Sequence, residues 1–98
     1  MAGKKLSSVL AKDLSACLIC GRPAEIHHVF FGSANRAISE RYGYIVPLCP
    51  EHHRTGEFAV HRNRCADLMI KQRAQKHFEA HVGSREEFIK IFGRSWIE

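Results

Sequence analysis

Four cysteines and seven histidines in 98 residues are the densest source of chemistry in this chain. Cys17-x-x-Cys20 and Cys49-x-x-His52 are two ligand pairs at zinc-knuckle spacing. Two zinc-binding donors on each tight turn, with the turns meeting, make the closed tetrahedral shell that a structural Zn2+ takes. Buried thiols without a metal are the competing explanation, and they would have to account for two such pairs at once. Disulfides are a poorer one for a chain in which no export signal is read. The 28 residues between Cys20 and Cys49 exceed the usual ribbon loop of about 15–20 and suit a β-hairpin held between the knuckles. Cys65 is the spare thiol. Its spacing predicts a packed residue on the apolar face of a helix, with replacement of His52 as fourth ligand the other possibility.

Five of the histidines fall as two adjacent pairs and a nearby single, His27-His28, His52-His53 and His61. Adjacent side chains on a strand point to opposite faces, so a bend at the strand end lets one imidazole bind a metal while its neighbour faces a substrate. His53 follows His52 directly and points away from the knuckle. His61 comes eight residues after His53, and a turn beyond Gly56 brings it back. A lone histidine is most often structural; three converging positions beside a knuckle are harder to explain that way.

These groups need elements to position them. Residues 1–16 read as an arm or short helix, with Leu6, Val9, Leu10 and Leu14 at helical spacing. Residues 25–31 predict a short strand running into a loop at Gly32-Ser33, and residues 34–41 a helical turn ended at Gly43. Residues 44–48 predict a second strand, confined to an edge or bulge by Pro47. Pro50 opens a short helix through His52, His53 and Arg54, ended at Gly56. Residues 63–82 predict a longer amphipathic helix with Cys65, Leu68, Met69, Gln72 and Phe78 near one face. Ser84-Arg85-Glu86-Glu87 is a capping box opening a last helix with Phe88, Ile91 and Phe92 apolar. The expected architecture is a single α+β domain over 1–98, divided as 1–16, 17–62 and 63–98.

A chain of 11.2 kDa buries about 60–65% of the surface of its unfolded form, so a metal or partner should reinforce its core. No apolar run approaches the roughly 18–20 residues of a membrane span, and the N-terminus has no continuous apolar stretch of the signal-peptide kind. The charge of +5 and pI near 9.3 suit a polyanionic partner. Between His61 and His77 the cations Arg62, Arg64, Lys71, Arg73 and Lys76 face the single acid Asp67, which predicts either a solvated helix face or a phosphate-tracking surface.

The order Cys-x-x-Cys, Glu-Ile-His-His-Val, then Val-Pro-Leu-Cys-x-x-His-His-Arg resembles the HNH endonucleases of the ββα-metal (His-Me finger) group, especially small phage and prophage members of the recombination-promoting type. The resemblance covers residues 17 to about 62, and the C-terminal helices look similar too. It implies a ββα-metal hairpin-plus-helix core braced by the knuckles, with additional C-terminal helices. It implies DNA phosphodiester hydrolysis by nicking, with His28 as general base and His27 and His53 as ligands of a catalytic divalent ion (Mg2+, Mn2+, Ni2+ or Zn2+). His61 has three readings: third ligand, phosphate contact or structural residue. Arg54, Arg62 and Arg64 are the candidates to hold phosphates, with Lys71 and Arg73 on the same basic stretch. The resemblance further implies 5′-phosphate and 3′-hydroxyl ends and a cytoplasmic setting in a phage or bacterial host. Three arrangements stay open: a chain that nicks alone, a homodimer that cuts both strands, or one directed by a recombination or packaging protein. At one place the chain departs from the family: Tyr44 stands where the middle Asn usually orients the base, leaving Tyr44, Asn35 or Asn63 to take that role.

Three other classes compete. A zinc-stabilised DNA-binding module without catalysis would explain Tyr44 but not the four histidines 27, 28, 53 and 61. An interaction protein would use Phe88, Ile91, Phe92 and Trp96 as a partner surface. A zinc hydrolase built on His77-Phe78-Glu79-Ala80-His81 has two histidines on one helix face, but its glutamate is displaced from the HExxH position.

Overall fold

The computed structural model describes residues 6–32 and 34–97; the start of the N-terminal arm (1–5), Ser33 and Glu98 lie outside the described residues. Strand β1 (Glu25–His28) pairs antiparallel with β2 (Ile45–Leu48), with Glu25 opposite Leu48 and His28 opposite Ile45. Between them lies helix α1 (Asn35–Arg41). A π-helical turn (Glu51–Thr55) follows β2 directly, and helices α2 (Arg64–His81) and α3 (Arg85–Phe92) complete an α+β chain. Among the described residues no helix is long and apolar enough to cross a membrane.

The apolar residues of β2 are buried along its whole length. Pro47 costs the ladder nothing, because each strand of a two-stranded sheet has a free edge. That free edge is used: the Leu18 N–H of the first knuckle donates to Pro47 O at 2.8 Å. The N-terminal segment forms no helix between residues 6 and 16. It is an arm pinned to the sheet by Ser8 Oγ donating to Ile45 O (2.6 Å) and Val9 N–H to Gly43 O (3.0 Å).

The core behind the sheet is aromatic. Phe30, Tyr44, Phe78, Phe88 and Phe92 are all buried, with the Phe88 and Phe92 rings stacked at 4.6 Å. Ser84 and Glu87 close the capping box in both directions at the start of α3. Two of the residues expected on a partner surface are therefore not on the surface at all. Phe88 and Phe92 are core, and Ile91 and Trp96 pack against it.

Helix α2 corrects a second expectation. Its buried stripe is Lys71, Ala74, Gln75 and Phe78, whereas Cys65 is exposed and Met69 is 70% exposed. The reason is that two polar residues are buried with partners. Lys71 Nζ pairs with Asp67 at 2.7 Å and lies over the Phe31 and Trp96 rings. Gln75 donates to Glu79 and Ser95 and accepts from Trp96 N. An apolar periodicity does not detect a stripe built this way.

Candidate functional site

The first knuckle is a turn in which Gly21, at φ +79°, lets the chain fold back so that Gly21 N–H donates to Cys17 O at 2.9 Å. The second leaves the end of β2 at Cys49. The two meet. Cys20 Sγ lies 3.6 Å from Cys49 Sγ, His52 Nδ1 lies 3.3 Å from Cys49 Sγ and 3.7 Å from Cys17 Sγ, and all four donor atoms fall within 4.8 Å of one another. Ligands about 2.0–2.3 Å from one tetrahedral zinc would be about 3.5–3.8 Å apart, so the cluster has the size of such a shell. It is too open for a disulfide, whose sulfurs are about 2.05 Å apart. Burial pushes the Cys17 thiol up, but hydrogen bonds from the backbone of Cys49, Cys20 and Ile19 outweigh it and bring it down to about 6. Cys49 is lowered too, first by the backbone of His52. Both shifts favour thiolate, the form that binds metal. The Cys17–Cys20–Cys49–His52 cluster could hold a zinc ion, and exposed Cys65 takes no part in it.

A second group assembles on the other side of the same turn. His27 stands on the β1 face shared with Glu25, two residues earlier. His53 comes from the π-helical turn beside His52. His61 is brought back by the chain reversal at Gly56, where a Cβ would meet Glu51 O at 2.6 Å, so only glycine fits. Two backbone bonds then fix the return, Val60 N–H to His52 O (2.9 Å) and His61 N–H to His53 O (3.2 Å). The rings of His27, His53 and His61 lie 4.7–5.1 Å apart, and their nearest donor atoms fall within 4.8 Å of one another.

The hydrogen bonds around this triad suit a metal. Glu25 Oε1 accepts from His53 Nδ1 at 2.7 Å and from Arg54 Nε at 2.8 Å, while Oε2 takes Arg54 Nη2 at 3.0 Å. With its proton on Nδ1, His53 presents a bare Nε2, which lies 3.0 Å from His61 Nε2. That separation is about what two nitrogens at right angles around one metal would show. His27 Nε2 is buried and has no hydrogen-bond partner among the described residues. Burial, and then the neighbouring His53 and His61, push the His27 pKa down to about 3. It stays neutral at physiological pH, as a metal ligand must. Glu25 is a residue that spacing alone did not single out, although its place two positions before His27 was the available signal. If the triad holds a divalent ion, replacing Glu25 with alanine should weaken its binding about 10–100-fold, the usual effect of losing an outer partner of a ligand histidine. Titration calorimetry of the zinc-loaded protein with Ni2+ would read this, with zinc content unchanged.

His28 and the triad line one cavity of about 200 Å3, together with Ile26, Phe31 and Arg36. His28 Nε2 lies 2.8 Å from Glu40 Oε2 on α1. None of the three residues considered for orienting it does so. Tyr44 is buried, and burial pushes its phenol up to about 12, so it keeps its proton beside His77 Nδ1, 3.0 Å away. Asn35 Nδ2 donates to Phe92 O at 3.4 Å, and Asn63 caps α2 by accepting from Ala66 N.

The cations are dispersed. Arg54 is tied to Glu25, and Arg62 donates to Thr55 O at 2.7 Å. Arg64 and Arg73 are exposed on α2, while Lys71 is buried with Asp67 and so is no part of a phosphate-tracking surface. Arg36, which the sequence did not flag, is the cation that lines the cavity. The alternative helix motif does not assemble: Glu79 is held by Arg85 and Gln75, and no cluster of three metal-binding side chains forms there among the described residues. Comparison of the chain with protein-family models, curated proteins and solved structures finds no match.

Proposed function

We propose that this protein is a metal-dependent DNA endonuclease of the HNH, ββα-metal kind. In this reading β1, β2 and the π-helical turn form the catalytic motif, and the Cys3His cluster braces it with zinc. The observation that carries the reading is the convergence of His27, His53 and His61 with a fourth histidine, His28, on one cavity. Three imidazoles with open space beside them suit a divalent cation that would stabilise charge developing on a phosphate. His28 takes a proton from water, which attacks phosphorus. Arg36 neutralises the phosphate that enters the cavity, and the net charge of +5 favours a polyanion over the wider surface. By resemblance to the family, the products carry 5′-phosphate and 3′-hydroxyl ends, and the setting is a phage or bacterial host.

The test is cleavage of supercoiled plasmid and single-stranded DNA by zinc-loaded protein across Mg2+, Mn2+, Ni2+ and EDTA. Metal-dependent nicking is expected. No cutting with any ion, with DNA still retained on a gel, would instead point to a binding module. Arg36→Gln should lower kcat/KM about 10–100-fold, since a charged hydrogen bond is worth roughly 1.5–3 kcal/mol. Steady-state rates on a short duplex would measure it, and an unchanged kcat/KM would remove Arg36 from the site.

A further inference from the structure

We propose that Glu40 is the positioning residue for His28, holding its imidazole in the tautomer that can accept a proton. This rests on the nuclease reading above. Ionised carboxylates only accept hydrogen bonds, so in the neutral imidazole the 2.8 Å contact places the proton on Nε2 and leaves Nδ1 bare. The proton taken from water then goes to Nδ1, and the imidazolium formed is paired with the Glu40 carboxylate. The pairing matters because both partners are largely shielded, the side chains being 11% and 24% exposed.

The position of Glu40 is itself fixed by the fold. Its neighbour Ser39 is fully buried, accepts from Phe30 N–H at 3.2 Å and donates to Tyr44 O. One side chain thus ties α1 to the segment leaving β1 and the segment entering β2. One turn earlier on the same helix stands Arg36, which lines the cavity. A short helix between two strands therefore presents a carboxylate to the base and a guanidinium to the place where a phosphate would sit. The carboxylate takes over the orienting role for which Tyr44, Asn35 and Asn63 are wrongly placed.

The experiment compares wild type, Glu40→Gln and Glu40→Ala, all zinc-loaded, for plasmid nicking and for the His28 tautomer by long-range 15N–1H NMR. Glutamine keeps the shape, but its amide can donate to Nε2 and favour the Nδ1–H form. Its kcat should fall on the order of 10²-fold or more, as when a carboxylate that orients a catalytic histidine becomes an amide. KM and zinc content should not change, and the tautomer signal should move. Wild-type kcat in Glu40→Gln, while wild type cuts DNA, would overturn the positioning role and leave the nuclease reading standing. Loss of activity in both variants with an unmoved tautomer would make Glu40 merely structural and also overturn it. A wild-type protein that cuts nothing would fail the nuclease reading and take this role with it.

Discussion

Replacing Cys49 with alanine should leave the chain without a cooperative fold. Cys49 is buried where β2 runs into the π-helical turn, and its sulfur touches donor atoms of both knuckles. A structural zinc contributes about 10–16 kcal/mol as folding free energy. A domain of this size has about 5–15 kcal/mol of stability in total, so no core this small can absorb the loss of a closed shell. Far-UV circular dichroism melts with and without zinc would show it. Wild type should melt cooperatively, lose that melt with a chelator and regain it with Zn2+, whereas Cys49→Ala should show none. Cys65→Ala is the control: an exposed thiol outside the cluster should change stability by no more than about 0.5 kcal/mol. A cooperative, zinc-independent melt in Cys49→Ala would dismiss the zinc site.

The second large effect is confined to chemistry. His28→Ala should lower the rate of DNA cleavage about 10²–10⁴-fold, the usual worth of a general base. The fold should survive, because His28 is neither in the aromatic core nor in either cluster that could hold a metal ion. Zinc content and the melting curve should therefore match wild type, and Ni2+ should still bind the triad. Cleavage rates at saturating divalent ion, taken beside those two controls, separate a lost base from a lost fold. Unchanged cutting would show that another group takes the proton.

The legible part of this chain was the part written in spacing. Cys-x-x-Cys and Cys-x-x-His bring four donors together because each pair needs only a tight turn, which local sequence encodes. The capping box at Ser84 is local in the same sense. Helix α2 was legible in extent, but its buried face was not, since Lys71 and Gln75 are buried by partners that arrive from Phe31, Ser95 and Trp96. Glu25, Arg36 and Glu40 were missed for a related reason. A carboxylate looks the same in a sequence whether it faces water or an imidazole, and what it faces is decided by strand register and by how α1 is pinned. The resemblance pointed to Tyr44, Asn35 or Asn63 as the residue that orients His28; the contact from Glu40 could be found only where the helix meets the strand.

The π-helical turn has a consequence for how this protein can fail. His52 belongs to one cluster and His53 to the other, and a single peptide bond separates them. The carbonyls of the same two residues hold Val60 and His61 in place. A nascent or metal-starved chain in which the knuckles have not closed has no rigid frame for His53, and through it none for His61. On the proposed function, such a chain is disarmed: it cannot damage DNA before it is fully built. An insertion or deletion of one residue in this turn would strike both clusters at once, so its length is held from two sides.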